Sequence, residues 1–453
     1  MTAPRPAAGA PRTYRFPDFE RHVLPNGLTV WLVPLPEREL VNVHLLSDAG
    51  AAAEDEAQAG VAALTAQLLV TGTRRLDAAA FAGTTERLGI EVSSESNWDS
   101  ARAAFQALSA HLDAGLGLLA EMIRTPRLDE REFERIRAER LNDILQARAD
   151  PGRLADESFL RHVFAADVPY GRLSAGTPET VGALGATDVQ RFHATRYAPN
   201  VAHLILAGAL DRDAALAAVE RHLGDWSGEA PGHRSFTTTA RGGRRVVVVD
   251  RPGSVQSELR VGHPGIDRHD PRYFPALVMA ALLGGVFGSR LNRRLREELG
   301  YTYGARCAFD PRRAVGPFTA NAAVQTEVTV DAIRELLGQL ARVREAPPEP
   351  DELAEVRNFL VGVFPLRFET TGGIAAAIEP LAVYGLPDHW WREYRENLEA
   401  VDPAAVHRAA LELVRPDEAL ILLAGDAARI RDDLEAAAFG PVEVVTAEAA
   451  LSR

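Results

Sequence analysis

Two segments of this 453-residue chain recur about 218 positions further on. The helical pattern DAGLGLLAEMIR, which begins at Asp113, is echoed by DAIRELLGQLAR, which begins at Asp331. The apolar run LILAG at 204–208 is echoed by ILLAG at 421–425. Because two separate segments recur at nearly the same offset, the sequence predicts a duplicated fold made of two homologous halves.

The two halves have the same predicted order of elements. Each opens with β-rich sequence, at 28–33 and 44–47 in the first half and at 245–249 in the second. Helices follow, and each half closes with a helix and a final apolar strand. Strands interleaved with helices, without strict βαβ spacing, favour an α+β fold.

The boundaries of the two halves are predicted from local amino-acid composition. The stretch 226–243 is polar and rich in Gly and Thr, which is typical of a linker. We therefore predict a first half at 16–225 and a second half at 244–453. Residues 1–15 contain scattered Pro and Arg, and we predict a disordered tail there.

Charge and cysteine content exclude some classes of protein. The chain has 50 basic and 63 acidic residues, a formal charge of −13, without a long run of one sign. This argues against nucleic acid or an anionic membrane as the main partner. Cys307 is the single cysteine, so no internal disulfide can form. We see no signal-peptide pattern and no stretch long enough to cross a membrane, and we predict a cytoplasmic location.

The stretch 60–73, GVAALTAQLLVTGT, is the most informative for function. On a helix, Ala63, Ala66 and Gln67 have the spacing of His, Glu and His in an H-x-x-E-H zinc site. Such a site needs imidazole ligands and a general-base carboxylate, and methyl groups and a carboxamide supply neither. This helix should bind no zinc. Taken alone, it is an amphipathic core helix.

The flanks of this helix carry a resemblance. Gly60, Ala62, Gly72 and Thr73 stand where the pitrilysin/insulinase-type zinc peptidases read roughly G-x-A-H-x-x-E-H-M-x-F-x-G-T. The chain resembles that family over nearly its whole length, with the ligands replaced. The resemblance implies two homologous halves, each a β-sheet with helices packed on it. The third zinc ligand of the family is a Glu about 76 positions after the second His, and Asp143 occupies that position here.

The second half carries the other motif of the family, within LNRRLREELGYTYGARCAF from Leu291. The resemblance implies an Arg on a helix and a Tyr seven residues later that hold the substrate carbonyl. Arg296 with Tyr303 and Arg294 with Tyr301 both have this spacing. The L-R-E frame and the following Gly favour Arg296 and Tyr303, with Arg294 and Tyr301 as second choice. The helix should end near Gly300, and alternation predicts a strand from Tyr301 to Phe309 after it. Without the family, the arginines would be surface residues and each Tyr a core strand residue.

The resemblance implies a zinc-less subunit of a heteromeric zinc metallopeptidase. A homologous partner subunit would bring the H-x-x-E-H helix, zinc and the general base, while this chain would bind no cofactor and contribute Arg296 and Tyr303 to binding of the peptide substrate. The lone chain should be inactive. One alternative is an inactive peptide-binding or structural scaffold. Another is an unrelated hydrolase whose site the sequence does not display.

Overall fold

A computed structural model of the chain describes residues 12–452. Two six-stranded sheets, one in each half, are covered by helices. The predicted α+β fold of two homologous halves is confirmed.

The elements of the first half are strands β1 (Glu20–Val23), β2 (Thr29–Pro34), β3 (Leu40–Ser47), β4 (Glu91–Ser96), β5 (Ala101–Leu108) and β6 (Ala202–Gly208), and helices α1 (Val61–Leu69), α2 (Ala78–Leu88), α3 (Leu112–Arg124), α4 (Glu130–Ala149), α5 (Pro151–Val163), α6 (Pro178–Ala183), α7 (Ala186–Arg196) and α8 (Arg212–Leu223).

The elements of the second half are strands β7 (Arg245–Asp250), β8 (Gln256–Pro264), β9 (Ala305–Phe309), β10 (Pro317–Gln325), β11 (Leu420–Gly425) and β12 (Val442–Thr446), and helices α9 (Tyr273–Ala280), α10 (Thr329–Arg342), α11 (Pro350–Val363), α12 (Thr371–Tyr384), α13 (Trp390–Glu399), α14 (Pro403–Leu413), α15 (Ala427–Ala437) and α16 (Ala447–Ser452). Two π-helical segments, Ala281–Gly285 and Asn292–Glu298, lie between α9 and β9.

The sheets share five of their six strand positions. Their orders are β1-β2-β6-β3-β5-β4 and β12-β7-β11-β8-β10-β9. β2 and β6 are parallel, as are β7 and β11, and the next three strands alternate antiparallel in both sheets. The outer strand differs, because β1 pairs antiparallel with β2 whereas β12 pairs parallel with β7. The duplication therefore covers the inner sheet, and each half completes its edge from a different end of the chain.

The halves exchange one helix each. Helix α5 of the first half packs on the second sheet, where Leu154 and Phe159 share a core with Val247 and Leu422. Helix α12 of the second half packs on β3 and β6 of the first sheet. Each half thus covers part of the sheet of the other, and the two share buried apolar surface.

Polar contacts accompany the packing of α12. Asn42 Nδ2 donates to Thr371 Oγ1 at 2.6 Å, and His44 Nδ1 lies 2.6 Å from Glu379 Oε1. Both Asn42 and His44 are buried on β3. These bonds satisfy polar groups that face the exchanged helix, which fixes its register on the first sheet.

The ends of the predicted segments can be compared with the described residues. Residues 1–11 of the predicted tail lie outside the described residues. Tyr14, within the predicted tail, packs against Phe364 and Phe368, with ring centroids 5.8 and 6.0 Å away. Irregular chain joins α8 to β7. In residues 12–452 we find no helix both long and apolar enough for a membrane span.

Candidate functional site

Helix α1 places the three motif positions on a buried face. Ala63 is 8% exposed and Ala66 is fully buried. Gln67 is half-buried, and its Oε1 is buried without a hydrogen-bond partner. Two methyl groups and an amide cannot replace imidazoles and a carboxylate as ligands. Within residues 12–452, no group of three or more His, Cys, Asp or Glu side chains is arranged to hold a metal ion.

Asp143 lies on helix α4, which packs beside α1, and its side chain is exposed. Arg140 lies one turn earlier on the same helix. Burial lowers the pKa of the Arg140 guanidinium, and the charge of Asp143 opposes that shift. A guanidinium next to the carboxylate that matches the third ligand position disfavours a divalent cation there. The residues present therefore do not fit zinc.

The N-terminus of α1 is held by Glu54, which the sequence analysis missed. Glu54 is 3% exposed. Its Oε2 accepts from the Gly60 N–H at 3.1 Å and its Oε1 from the Ala62 N–H at 2.7 Å. The oxygens of a carboxyl group at a helix N-terminus satisfy N–H groups that have no partner within the helix. An acidic residue six positions before Gly60 was the available signal.

Burial raises the pKa of Glu54 to about 8, against the two backbone N–H donors, which lower it. Because its pKa is higher in the folded state, the Glu54 carboxyl group contributes to stability in full below its unfolded-state pKa of 4.5. This contribution is lost as the pH rises through about 8.

We therefore expect the free energy of unfolding to fall between about pH 5 and pH 8. The Glu54→Gln variant should show a flatter dependence of this free energy on pH. Urea unfolding across this range measures both. Glu56→Gln, an exposed neighbour, is the control, and equal slopes for wild type and Glu54→Gln would contradict the prediction.

The second-half motif begins on a π-helical segment and ends in a loop. Gly300 has φ +67°, the left-handed conformation expected at the end of this helix. The predicted strand from Tyr301 to Phe309 is wrong over its first residues, since β9 starts only at Ala305. Thr302 Oγ1 donates to the Gly304 carbonyl at 2.9 Å, which bends the chain before the strand.

The two tyrosines have different surroundings. Tyr303 is 96% exposed. Tyr301 is half-buried and packs against the large core of the second half. Tyr301 therefore has a packing role, whereas the Tyr303 side chain is accessible to a ligand.

The two arginines also differ. Arg294 makes paired hydrogen bonds with Glu335 at 2.8 and 2.9 Å and a third with Glu298 at 2.8 Å. The hydrogen bonds that Arg294 donates to Glu335, and then the one it donates to Glu298, raise the pKa of Arg294. Arg296 has one ion pair, with Glu297 at 2.9 Å, and its guanidinium carbon lies 3.6 Å from the ring centroid of Phe287.

The side chain of Asn292 connects the π-helical segment to the loop before it and to strand β9 after it. The sequence analysis did not identify this residue. Its side chain is 7% exposed. Nδ2 donates to the Val286 carbonyl at 3.2 Å and to Ser289 Oγ at 3.1 Å, and Oδ1 accepts from the Ala305 N–H at 2.9 Å. The helix that carries Arg296 is thus tied to the strand that follows Tyr303. A single Asn within an Arg-rich helix gave no signal, because burial was not visible.

Fold and site together define a peptidase-like protein of two homologous halves whose metal site lacks its ligands. Family models agree: residues 29–169 match the insulinase family (peptidase family M16), and residues 183–360 match the peptidase M16 inactive domain. The chain belongs to the insulinase family, and its zinc-motif positions carry Ala63, Ala66 and Gln67 in place of ligands.

The proteins similar to this chain include one named as a zinc protease and one named as a non-peptidase homolog. An uncharacterized zinc protease of Streptomyces coelicolor is 26% identical over 360 residues, covering 78% of each chain. The non-peptidase homolog YmxG of Helicobacter pylori is 26% identical over 357 residues, again 78% of each. The crystal structure of a peptidase M16 inactive domain from Pseudomonas fluorescens superposes with a TM-score of 0.84 at 25% identity, covering 90% of this chain and 98% of that one.

Proposed function

We propose that this chain is the zinc-less subunit of a heteromeric zinc metallopeptidase that cleaves peptides, and that it supplies Arg296 and Tyr303 to the zinc site of a homologous partner. The observation that carries the proposal is the contrast between the halves. The first half has Ala63, Ala66 and Gln67 at the motif positions, whereas the second half keeps the Arg and Tyr spacing with Tyr303 96% exposed.

The chemistry of peptide hydrolysis gives the pair a role. Attack on the peptide carbonyl places negative charge on its oxygen, and fixed donors in a water-excluded site stabilise that charge. A guanidinium and a phenol hydroxyl are such donors. The residues of this chain do not fit zinc, so the metal and the general base belong to the partner subunit in this proposal. Arg296 and Tyr303 act by binding and orienting the carbonyl.

The contacts favour Arg296 over Arg294. Arg294 is engaged by Glu335 and Glu298, and moving it would leave those two carboxylates without their cation. Arg296 pairs with one exposed neighbour, Glu297, and its other contact is the exposed ring of Phe287. Exchanging a surface ion pair for a substrate carbonyl costs little, because such pairs contribute about 0–1 kcal/mol.

The test is a pull-down of the tagged chain from cytoplasmic extract, where we place the complex, followed by zinc and peptidase assays. We expect a stoichiometric companion with H-x-x-E-H and zinc, and peptide cleavage only by the complex. Chelator-sensitive cleavage of peptides by the purified lone chain would contradict the proposal.

A second candidate is a peptide-binding or structural scaffold. The relative named non-peptidase homolog YmxG favours it, at 26% identity. In that case a companion could be recovered, but Arg296 and Tyr303 would not affect any activity of the complex.

A further inference from the structure

The exposed ring of Phe287 covers one face of the Arg296 guanidinium. Phe287 is 74% exposed, although phenylalanine side chains are usually buried, and its neighbour Val286 packs against the large core of the second half. The guanidinium carbon of Arg296 lies 3.6 Å from the centroid of the Phe287 ring. At this separation the guanidinium plane lies flat on the ring, because an N–H group pointed at the ring would bring its nitrogen into overlap with the ring carbons.

Stacking of this kind leaves the hydrogen-bond donors of the arginine free for a ligand. The N–H groups of a guanidinium lie in its plane, and a ring against its face uses none of them. Two other arginines of the segment are held differently. Arg290 donates paired hydrogen bonds to Glu352, at 2.8 and 2.7 Å. Arg294 donates a similar pair to Glu335. These carboxylates occupy the donors that a substrate carbonyl would need.

The loop that carries Phe287 is itself fixed. The Ser289 N–H donates to the Val286 carbonyl at 3.1 Å, and Asn292 Nδ2 donates to the same carbonyl at 3.2 Å. The Asn292 side chain also accepts from the Ala305 N–H at the start of β9. One buried side chain thus holds the loop and the strand in one arrangement, and the ring of Phe287 is a fixed platform for the guanidinium.

We propose that Phe287 is a positioning residue for Arg296, which it holds with its N–H groups oriented for the substrate carbonyl before the substrate binds. This role rests on the proposed function, in which Arg296 binds that carbonyl. An arginine side chain has many rotamers, and ordering them on binding costs conformational entropy. A ring that restricts these rotamers in the free subunit removes part of that cost. The Arg296 side chain is 21% exposed, against 48% for Glu297 next to it, in agreement with this shelter.

Two substitutions of Phe287 in the reconstituted complex separate stacking from apolar bulk. Phe287→Leu keeps an apolar side chain without an aromatic face, and we expect kcat/KM to fall about 3- to 30-fold, the range for cation–π contacts from exposed to desolvated sites. The loss should lie mainly in kcat, because a disordered donor stabilises the developing charge less well. Phe287→Tyr keeps the ring and should retain kcat/KM within about twofold. Phe359→Leu should do the same and is the matched control, since Phe359 is 48% exposed and lines the same surface groove as Phe287.

A double-mutant cycle with Arg296 decides whether the ring acts through the guanidinium. In the Arg296→Ala background, Phe287→Leu should change kcat/KM less than about twofold, since no guanidinium remains to be positioned. An equal loss with and without Arg296 would overturn the positioning role, as would full activity of Phe287→Leu. Loss of assembly by Phe287→Leu in native mass spectrometry would overturn it too, because the ring would then belong to the subunit interface.

These outcomes leave Arg296 in place as a ligand of the carbonyl, so they do not contradict the proposed function. An Arg296→Ala complex with full activity is the separate result that would contradict the proposed function, and the positioning role of Phe287 would fail with it.

Discussion

Arg296→Ala is expected to lower kcat/KM of the reconstituted complex about 100- to 1000-fold, the typical loss when a donor to the developing oxyanion is removed. Tyr303→Phe, which removes only the hydroxyl, should lower it about 10- to 100-fold. The loss should lie in kcat rather than KM, because the bond strengthens as charge develops on the carbonyl oxygen. Steady-state kinetics on one peptide measure both values.

The second-choice residues supply the controls. Tyr301→Phe should leave kcat within about twofold, because Tyr301 is half-buried against the core. Arg294→Ala should mainly lower thermal stability, with a smaller effect on activity, because it leaves Glu335 and Glu298 unpaired. Native mass spectrometry checks that each variant still assembles. Full activity of both Arg296→Ala and Tyr303→Phe in an assembled complex would support the scaffold instead.

The duplication was predictable because it repeats a local pattern. Asp113 and Asp331 both lie in the first turn of matching helices, α3 and α10, and the echoed apolar runs form β6 and β11 in equivalent sheet positions. Each of these elements is defined by its own periodicity, which the sequence displays.

The exchange of α5 and α12 was not predictable from the same patterns. The apolar positions of α5 indicate that a face is buried, but Leu154 and Phe159 would fit either sheet. What selects the second sheet is the set of long-range contacts, which a single sequence does not encode in any local period. The outer strands β1 and β12 were not predicted from the sequence.

The candidate site also has features that the sequence predicted and features that it did not. Ala63, Ala66 and Gln67 were visible because spacing on a helix is local. The exposure of Tyr303 was not, since alternation predicted a strand there. The bend at Thr302 and Gly304, and the hydrogen bond that the Ala305 N–H donates to Asn292, delay the start of the strand. Such side-chain bonds compete with strand pairing and leave no periodic signal.

The exchanged helix makes Arg260 a point of high sensitivity. Its side chain on β8 is 7% exposed. Nε donates to Asp156 and Nη2 to the Gly152 carbonyl at 3.1 Å, both on α5, while Nη1 donates to Glu258 at 3.1 Å. Arg260→Ala removes these bonds and leaves the half-buried Glu258 carboxylate without its cation. We expect the free energy of unfolding to fall by about 2 to 4 kcal/mol.

Urea unfolding measures this change, and Arg153→Ala, on helix α5, is the control. Arg153 is exposed and lies 3.9 Å from Glu157, so its loss should cost less than about 0.5 kcal/mol. Equal stability of the two variants would mean that α5 is held by its apolar face alone. With the expected difference, Arg260→Ala should also expose 149–165 to proteolysis in the native state, because α5 would leave the second sheet more often than the wild-type helix does.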